Sequence, residues 1–283
     1  MNPKVKIARL SIVSNSFLII IKLAVGLVSG SVSIISEAIH SAMDLVAALI
    51  AFLSVRISDQ PADTEHPYGH GKFENVSGVI EAVLIFVAAI WIILESIKKL
   101  LHNEPVEALG LGSIVMLVSA LVNFFVSRRL YKVAKATDSI ALEADALHLK
   151  TDVYTSLGVG VGLGLIWITG LPFLDPIIAM IVAIFILRES YILLKNAYSP
   201  LLDTALSNDE IEIIKQHLID KKLTFHDLKT RKAGQFRFAE LHLEMPGTLS
   251  LREVHDVCDE IENYLKNKIR NLDINIHVEP SGK

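Results

Sequence analysis

Two short stretches carry side chains able to hold a divalent cation. Residues 37–44 read Glu-Ala-Ile-His-Ser-Ala-Met-Asp, and residues 145–152 read Asp-Ala-Leu-His-Leu-Lys-Thr-Asp. Both follow the pattern acidic-Ala-aliphatic-His-x-x-x-Asp. On a helix, positions i, i+3 and i+7 share one face. Glu37, His40 and Asp44 therefore align, as do Asp145, His148 and Asp152. A His and an Asp four apart reach one ion. Two such pairs supply two imidazoles and two carboxylates, a tetrahedral shell suited to Zn2+. The two carboxylates also neutralise the dication, which lowers the cost of burying it. The plainer alternative makes each pair a structural hydrogen bond between packed helices; the repetition of the pattern argues against it. Glu37 and Asp145, one turn toward a helix end, either form a vestibule that attracts cations or are simply hydrated.

The segments that must position these residues are apolar. The chain has 283 residues, 52% of them hydrophobic and 20% charged. Residues 1–200 hold 31 charged side chains, while the remaining 83 residues hold 27. A spanning helix needs about 20 mostly apolar residues. Six candidates fit, at about 8–30, 32–55, 77–100, 109–128, 144–169 and 173–194, with longer polar segments at 56–76 and 129–143. The first stretch is too long for a signal-peptide core and reads as a spanning helix. Lys4, Lys6, Arg9, Arg56, Lys72, Arg128, Arg129, Lys132, Lys135 and Lys195 fall on one side, against Lys98 and Lys99 on the other. That bias puts both termini in the cytoplasm. The reading is an integral membrane protein of a prokaryotic inner or plasma membrane. Ionisable groups at membrane depth are costly and functional by default. Lys22, Glu81 and Glu95 stand singly and read as snorkelling groups or interhelical pairs.

After Leu201 the pattern changes. Ser207-Asn-Asp-Glu210 and Ser250-Leu-Arg-Glu253 are capping boxes. They open helices reaching about Asp220 and Arg270, with strands near 223–232, 236–245 and 273–278. The fold class expected is a membrane all-α six-helix bundle over residues 1–200. A cytoplasmic α+β domain of order αββαβ, metallochaperone-like, follows over 201–283. A domain of ~80 residues is marginal alone, so a metal or a dimer partner would help it. The net charge of −4 offers no basic field for nucleic acid. Cys258, the only cysteine, excludes an intramolecular disulfide. The polar loop adds Asp63, His66 and His70, whose spacing suits a metal at a turn.

On the paired H-x-x-x-D elements, together with Gln60-Pro-Ala-Asp63 and His66-Pro-Tyr-Gly-His70-Gly-Lys72, the chain resembles the cation diffusion facilitator family over nearly its whole length. The resemblance implies a six-helix divalent metal/proton antiporter that exports its cation from the cytoplasm, with no organic cofactor. His40, Asp44, His148 and Asp152 would form the transport site, and His at the first position matches the zinc-preferring pattern. Cadmium, iron, cobalt and manganese stay open as substrates. Asp63, His66 and His70 would hold a second ion. His226, His242, His255, His277 and Glu279 would form a regulatory cytoplasmic metal site in a homodimer. Lys72 and Asp203 would form a charge interlock. His217 has no counterpart and reads as a surface residue. A metal-gated channel or a membrane metal sensor is the alternative. An intramembrane metalloenzyme would need a motif such as H-E-x-x-H, and a nucleotide-driven pump a P-loop; neither is present.

Overall fold

The computed structural model describes residues 2–29, 32–102, 111–171 and 173–282. The chain divides into two compact units, Met1–Tyr198 and Ser199–Lys283.

The first unit is all helical: α1 (Pro3–Ser29), α2 (Val32–Ser58), α3 (Lys72–His102), α4 (Leu111–Thr137), α5 (Ile140–Thr169) and α6 (Leu174–Tyr198). α1 packs on α2, α4 on α5 and α3 on α6, and α5 also touches α2, α3 and α6. Many of the residues inside are small: Ala8, Ala48, Ala51, Ala82, Ala89, Ala144 and Ala183 have no exposed surface, beside larger ones such as Leu130, Leu142 and Leu149. Many large apolar side chains point outward, with Val28 91% and Trp91 70% exposed. That inversion of a soluble core suits lipid outside, because small residues let helix backbones approach closely. Gly78 marks one such approach: a Cβ there would lie 3.1 Å from Ala197 Cβ and 3.2 Å from Ile140 Cγ1.

Among the described residues, three helical stretches are long and apolar enough to cross a membrane: Pro3–Val28, Lys72–Leu101 and Pro176–Leu202. α4 and α5 lose hydropathy to Arg128, Arg129, Lys132 and Lys135, and to Glu143, Asp145, Lys150 and Asp152. The helices also outrun the expected spans. Residues 129–143, expected as a polar connection, are helical through Thr137 and again from Ile140. Asp138 takes a φ of 54°, and Ser139 N–H donates to Ala134 O at 3.0 Å, closing α4. Ser139 Oγ then accepts from Leu142 N–H at 3.4 Å and opens α5. Two residues suffice for the turn because one adopts the left-handed conformation.

Four helix ends meet at one buried carboxylate. Glu74, in the first turn of α3, is 1% exposed. Lys4 Nζ donates to its Oε1 at 2.8 Å, and Ser58 Oγ donates to the same oxygen at 2.8 Å. Ser139 Oγ donates to Oε2. Lys4 Nζ also lies 3.1 Å from Asp59.

The second unit begins with a short 3₁₀ turn and contains α7 (Asn208–Asp220), β1 (Thr224–Ala233), β2 (Phe236–Met245), α8 (Leu251–Lys268) and β3 (Leu272–Pro280). The sheet order is β1-β2-β3, with β1 antiparallel and β3 parallel to β2. Both capping boxes form. Ile214, Leu218, Ile261 and Leu265 of the helices pack on Ala239, Leu241, Leu243 and Met245 of β2. A bulge between His226 and Lys229 adds one residue to β1, with Asp227 at a φ of 51°. This is why Phe225 and Leu228, three apart, both reach the core.

Burial alone would push the Glu210 carboxyl up, but hydrogen bonds from Arg237 and Ser207 hold it below the ordinary glutamate value. Its contribution is therefore present above the unfolded glutamate range and lost as pH falls through the lowered folded value. In hydrogen exchange on the full chain, Ser207→Ala and Ser250→Ala are each expected to cost about 1 kcal/mol of protection in their helix. For α7, acidification through the glutamate range should reproduce the loss in the unsubstituted chain.

Candidate metal centres

Asp44 of α2 and His148 of α5 meet inside the bundle. Asp44 Oδ1 lies 3.1 Å from His148 Nε2, and Asp44 is 4% exposed. Asp152, one turn further along α5, completes a group whose ligand atoms lie within 4.8 Å of one another. Asn123 of α4, itself buried, donates from Nδ2 to Asp152 Oδ2 at 3.2 Å. Asn15 of α1 donates to the Asp44 carbonyl at 3.3 Å. Four helices thus fix the group. His148 Nδ1 and Asn123 Oδ1 are buried without a hydrogen-bond partner. A buried polar atom left unsatisfied is costly, and a site built for an ion and its water shell leaves such atoms. The side chains of Glu37 and His40 lie outside the described residues; the α2 backbone puts position 40 one turn before Asp44. Asp145 is neither at a solvated mouth nor at a helix end. It is fully buried and accepts a 3.1 Å hydrogen bond from Ser11 Oγ, because α5 starts at Ile140 and α1 covers it.

The connection between α2 and α3 brings Asp63, His66 and His70 together. His66 Nδ1 is 3.3 Å from Asp63 Oδ1, and His70 Nε2 is 3.4 Å from Asp63 Oδ2. Gly69, at a φ of 79°, turns the chain so that both rings face the carboxylate. The backbone N–H of His66 holds the Asp63 carboxyl below its ordinary value, with a further bond from the Glu65 N–H. The group is thus ionised at neutral pH, as a metal ligand must be.

A third group lies across the sheet. His226, His242 and His277 stand abreast in register on β1, β2 and β3. The face they occupy is opposite the helices. Glu279 sits at the centre: its carboxylate is 3.2 Å from His242 Nδ1, 3.6 Å from His277 Nε2 and 3.7 Å from His226 Nε2. His226, His242 and Glu279 form the tightest set. The bulge swings Asp227 to 3.9 Å from His242 Nε2, and Lys229 holds its carboxyl below the ordinary aspartate value. His255 is not brought into this group. It is exposed on α8, 3.6 Å from Asp259, since α8 covers the other face of the sheet.

Lys72 opens α3 in the first unit, and Asp203 lies in the second, 3.5 Å from Arg231 Nη1. His217 is not a surface residue: it is buried and stacked 3.8 Å from the Tyr264 ring, because α7 packs on α8 there. Lys22 bonds Ser41 Oγ at 2.8 Å, Glu95 pairs with Lys98 at 3.7 Å, and Glu81 is fully buried. Residue spacing alone missed Asn15 and Asn123. The signal for them was available: a lone Asn within an apolar span needs a polar partner.

The chain matches two family models, the cation efflux transmembrane domain over residues 8–202 and the cation efflux protein cytoplasmic domain over residues 206–281. It is 36% identical over 263 residues to an uncharacterized transporter, sll1263, of Synechocystis, covering 92% of this chain and 85% of the relative. It is 34% identical over 273 residues to the cation-efflux pump FieF of Klebsiella pneumoniae, covering 94% of this chain and 89% of that protein. A solved structure of CzrB in its Zn form is 40% identical over 29% of this chain and 96% of that one, with a TM-score of 0.26. Two domain models that together cover nearly the whole chain, and full-length relatives above 30% identity, make this chain a member of the cation efflux, or cation diffusion facilitator, family.

Proposed function

We propose that this protein exports a divalent transition metal, zinc foremost, from the cytoplasm in exchange for protons. The observation that carries the reading is the convergence of buried Asp44 with half-buried His148 and Asp152, from two helices that repeat the same motif. His40 would be the fourth ligand. Ligands must shed protons to bind the ion. Exposure of the loaded site to the more acidic outer side lets protons compete for the imidazoles, whose ordinary pKa near 6.5 suits the exchange. Asp44 and Asp152 then mainly compensate charge, and Asn123 and Asn15 hold them in place. Zinc as first choice rests on the two-His, two-carboxylate shell.

In the same reading, both termini are cytoplasmic in a bacterial inner membrane, and Asp63, His66 and His70 bind a second ion. The stripe of His226, His242, His277 and Glu279 senses cytoplasmic metal in a homodimer. His255 belongs to that sensor only if a partner or a shift of α8 brings it near. A Lys72–Asp203 interlock would join the two units.

Zinc uptake into everted vesicles under an imposed pH gradient tests the transport site. Asp44→Ala and Asp152→Ala should each abolish it, and Asn123→Ala should raise the zinc concentration for half-maximal uptake about tenfold or more. Near-normal uptake by either aspartate variant overturns the site. Lowering pH on the metal-binding side below about 6.5 should weaken uptake, since imidazolium cannot ligate a metal. Zinc entry without counter-movement of protons in proteoliposomes would point to a channel instead. Separately, His242→Ala should weaken zinc binding at the sheet, read by calorimetry with and without the variant, while part of the transport remains.

A further inference from the structure

We propose that a cleft between α4, α5 and α6 binds the headgroup of an anionic phospholipid. The cleft has a volume of about 790 Å³. Its rim carries Arg128, Arg129, Lys132 and Lys135 of α4 and Lys150 of α5. The acidic side chains beside it are already engaged: Glu143 with Lys135 at 2.7 Å and Glu189 with Arg188 at 3.4 Å. Arg128, Arg129 and Lys132 make no ion pair among the described residues, and Lys150 rests over the Tyr154 ring at 5.2 Å. Among the described residues, the cleft thus leaves four of its cations without an acidic partner.

Its position separates it from the metal route. Lys150 and Tyr154 lie about 200° around α5 from His148 and Asp152 at 100° per residue, which is the opposite face. Arg128 and Lys150 stand nine and ten residues from the α4–α5 turn. Both are therefore about 14 Å along their helices, level with one another and able to share one phosphate. The same cleft continues between Phe124, Leu157 and Ile192, which are apolar and open outward. Cations at one end and an apolar groove at the other match a phosphate joined to acyl chains. Basic pockets between membrane helices recognise anionic headgroups in this way. A second copy of the chain is a poor occupant, because a patch with four unpaired cations repels its own image.

The test uses the full-length chain in detergent, mixed with dioleoyl phosphatidylglycerol or dioleoyl phosphatidylcholine, and native mass spectrometry to count retained lipids. The glycerol lipid should be retained about tenfold better, and R128Q/R129Q/K150Q should bring it to the choline level, while Lys6→Gln leaves retention unchanged. Millimolar inorganic phosphate should not displace the lipid. If the triple variant fails to fold, a photoreactive phosphatidylglycerol on the unsubstituted chain should label peptides within 124–157 and 189–196. Equal retention of both lipids, displacement by phosphate, labelling confined to other helices, or rapid disulfide cross-linking of Leu157→Cys between copies would each overturn the proposal.

Discussion

The buried pair of Lys4 and Glu74 is the interaction on which the helical unit depends. Each side chain is at most 2% exposed, and the carboxylate is shared by the starts of α1 and α3, the end of α2 and the turn before α5. Charges taken out of water must be fully partnered, and losing one member of such a pair costs about 3–5 kcal/mol. The two oxygens of Glu74 have hydrogen bonds from three different helix ends, which meets that condition. Because α2 and α5 are both tied to this point, the distance between Asp44 and His148 is set partly from there. The alanines of the interior then bring the helices close enough for a 3.1 Å contact between side chains from separate helices.

The same logic explains where polarity is tolerated at membrane depth. Asn15, Ser11 and Asn123 each bond a residue of the Asp44–Asp145–Asp152 region. They come from α1 and α4, helices that contribute no ligand of their own. The candidate metal group therefore has a second ring of donors: Asn123 fixes the Asp152 carboxylate, Asn15 the Asp44 main chain and Ser11 the neighbouring Asp145. The unsatisfied Nδ1 of His148 marks the place where that ring is open.

Much of this architecture was legible beforehand, for definite reasons. Six apolar runs mark six helices because an apolar segment of about 20 residues satisfies its own backbone in lipid only as a helix. Ser-x-x-Glu spacings locate the starts of α7 and α8 because capping is local chemistry. The ends of the apolar helices were not legible. The α4–α5 turn depends on one left-handed residue, Asp138, and on Ser139 reaching Glu74 65 residues away. Glu74 itself sits in an unremarkable stretch, and its partners lie 16 to 70 residues distant. His217 looks polar in sequence but is stacked on Tyr264, a contact across two helices. Within the candidate sites, the alignment of Asp44 with His148 and Asp152 was readable from spacing and the grouping of His226, His242, His277 and Glu279 from the family resemblance, whereas the supporting amides and the separation of His255 from the sheet required the fold.

The register of the sheet has a thermodynamic corollary. β2 and β3 are joined only through α8, and β1 pairs with β2 around an irregular step. An ion held by His226, His242 and Glu279 would fasten all three strands at one level, closing chain loops much as a covalent cross-link does. Its effect would grow with the logarithm of free metal above the dissociation constant. Cytoplasmic metal concentration would then be recorded as the melting temperature of the sheet.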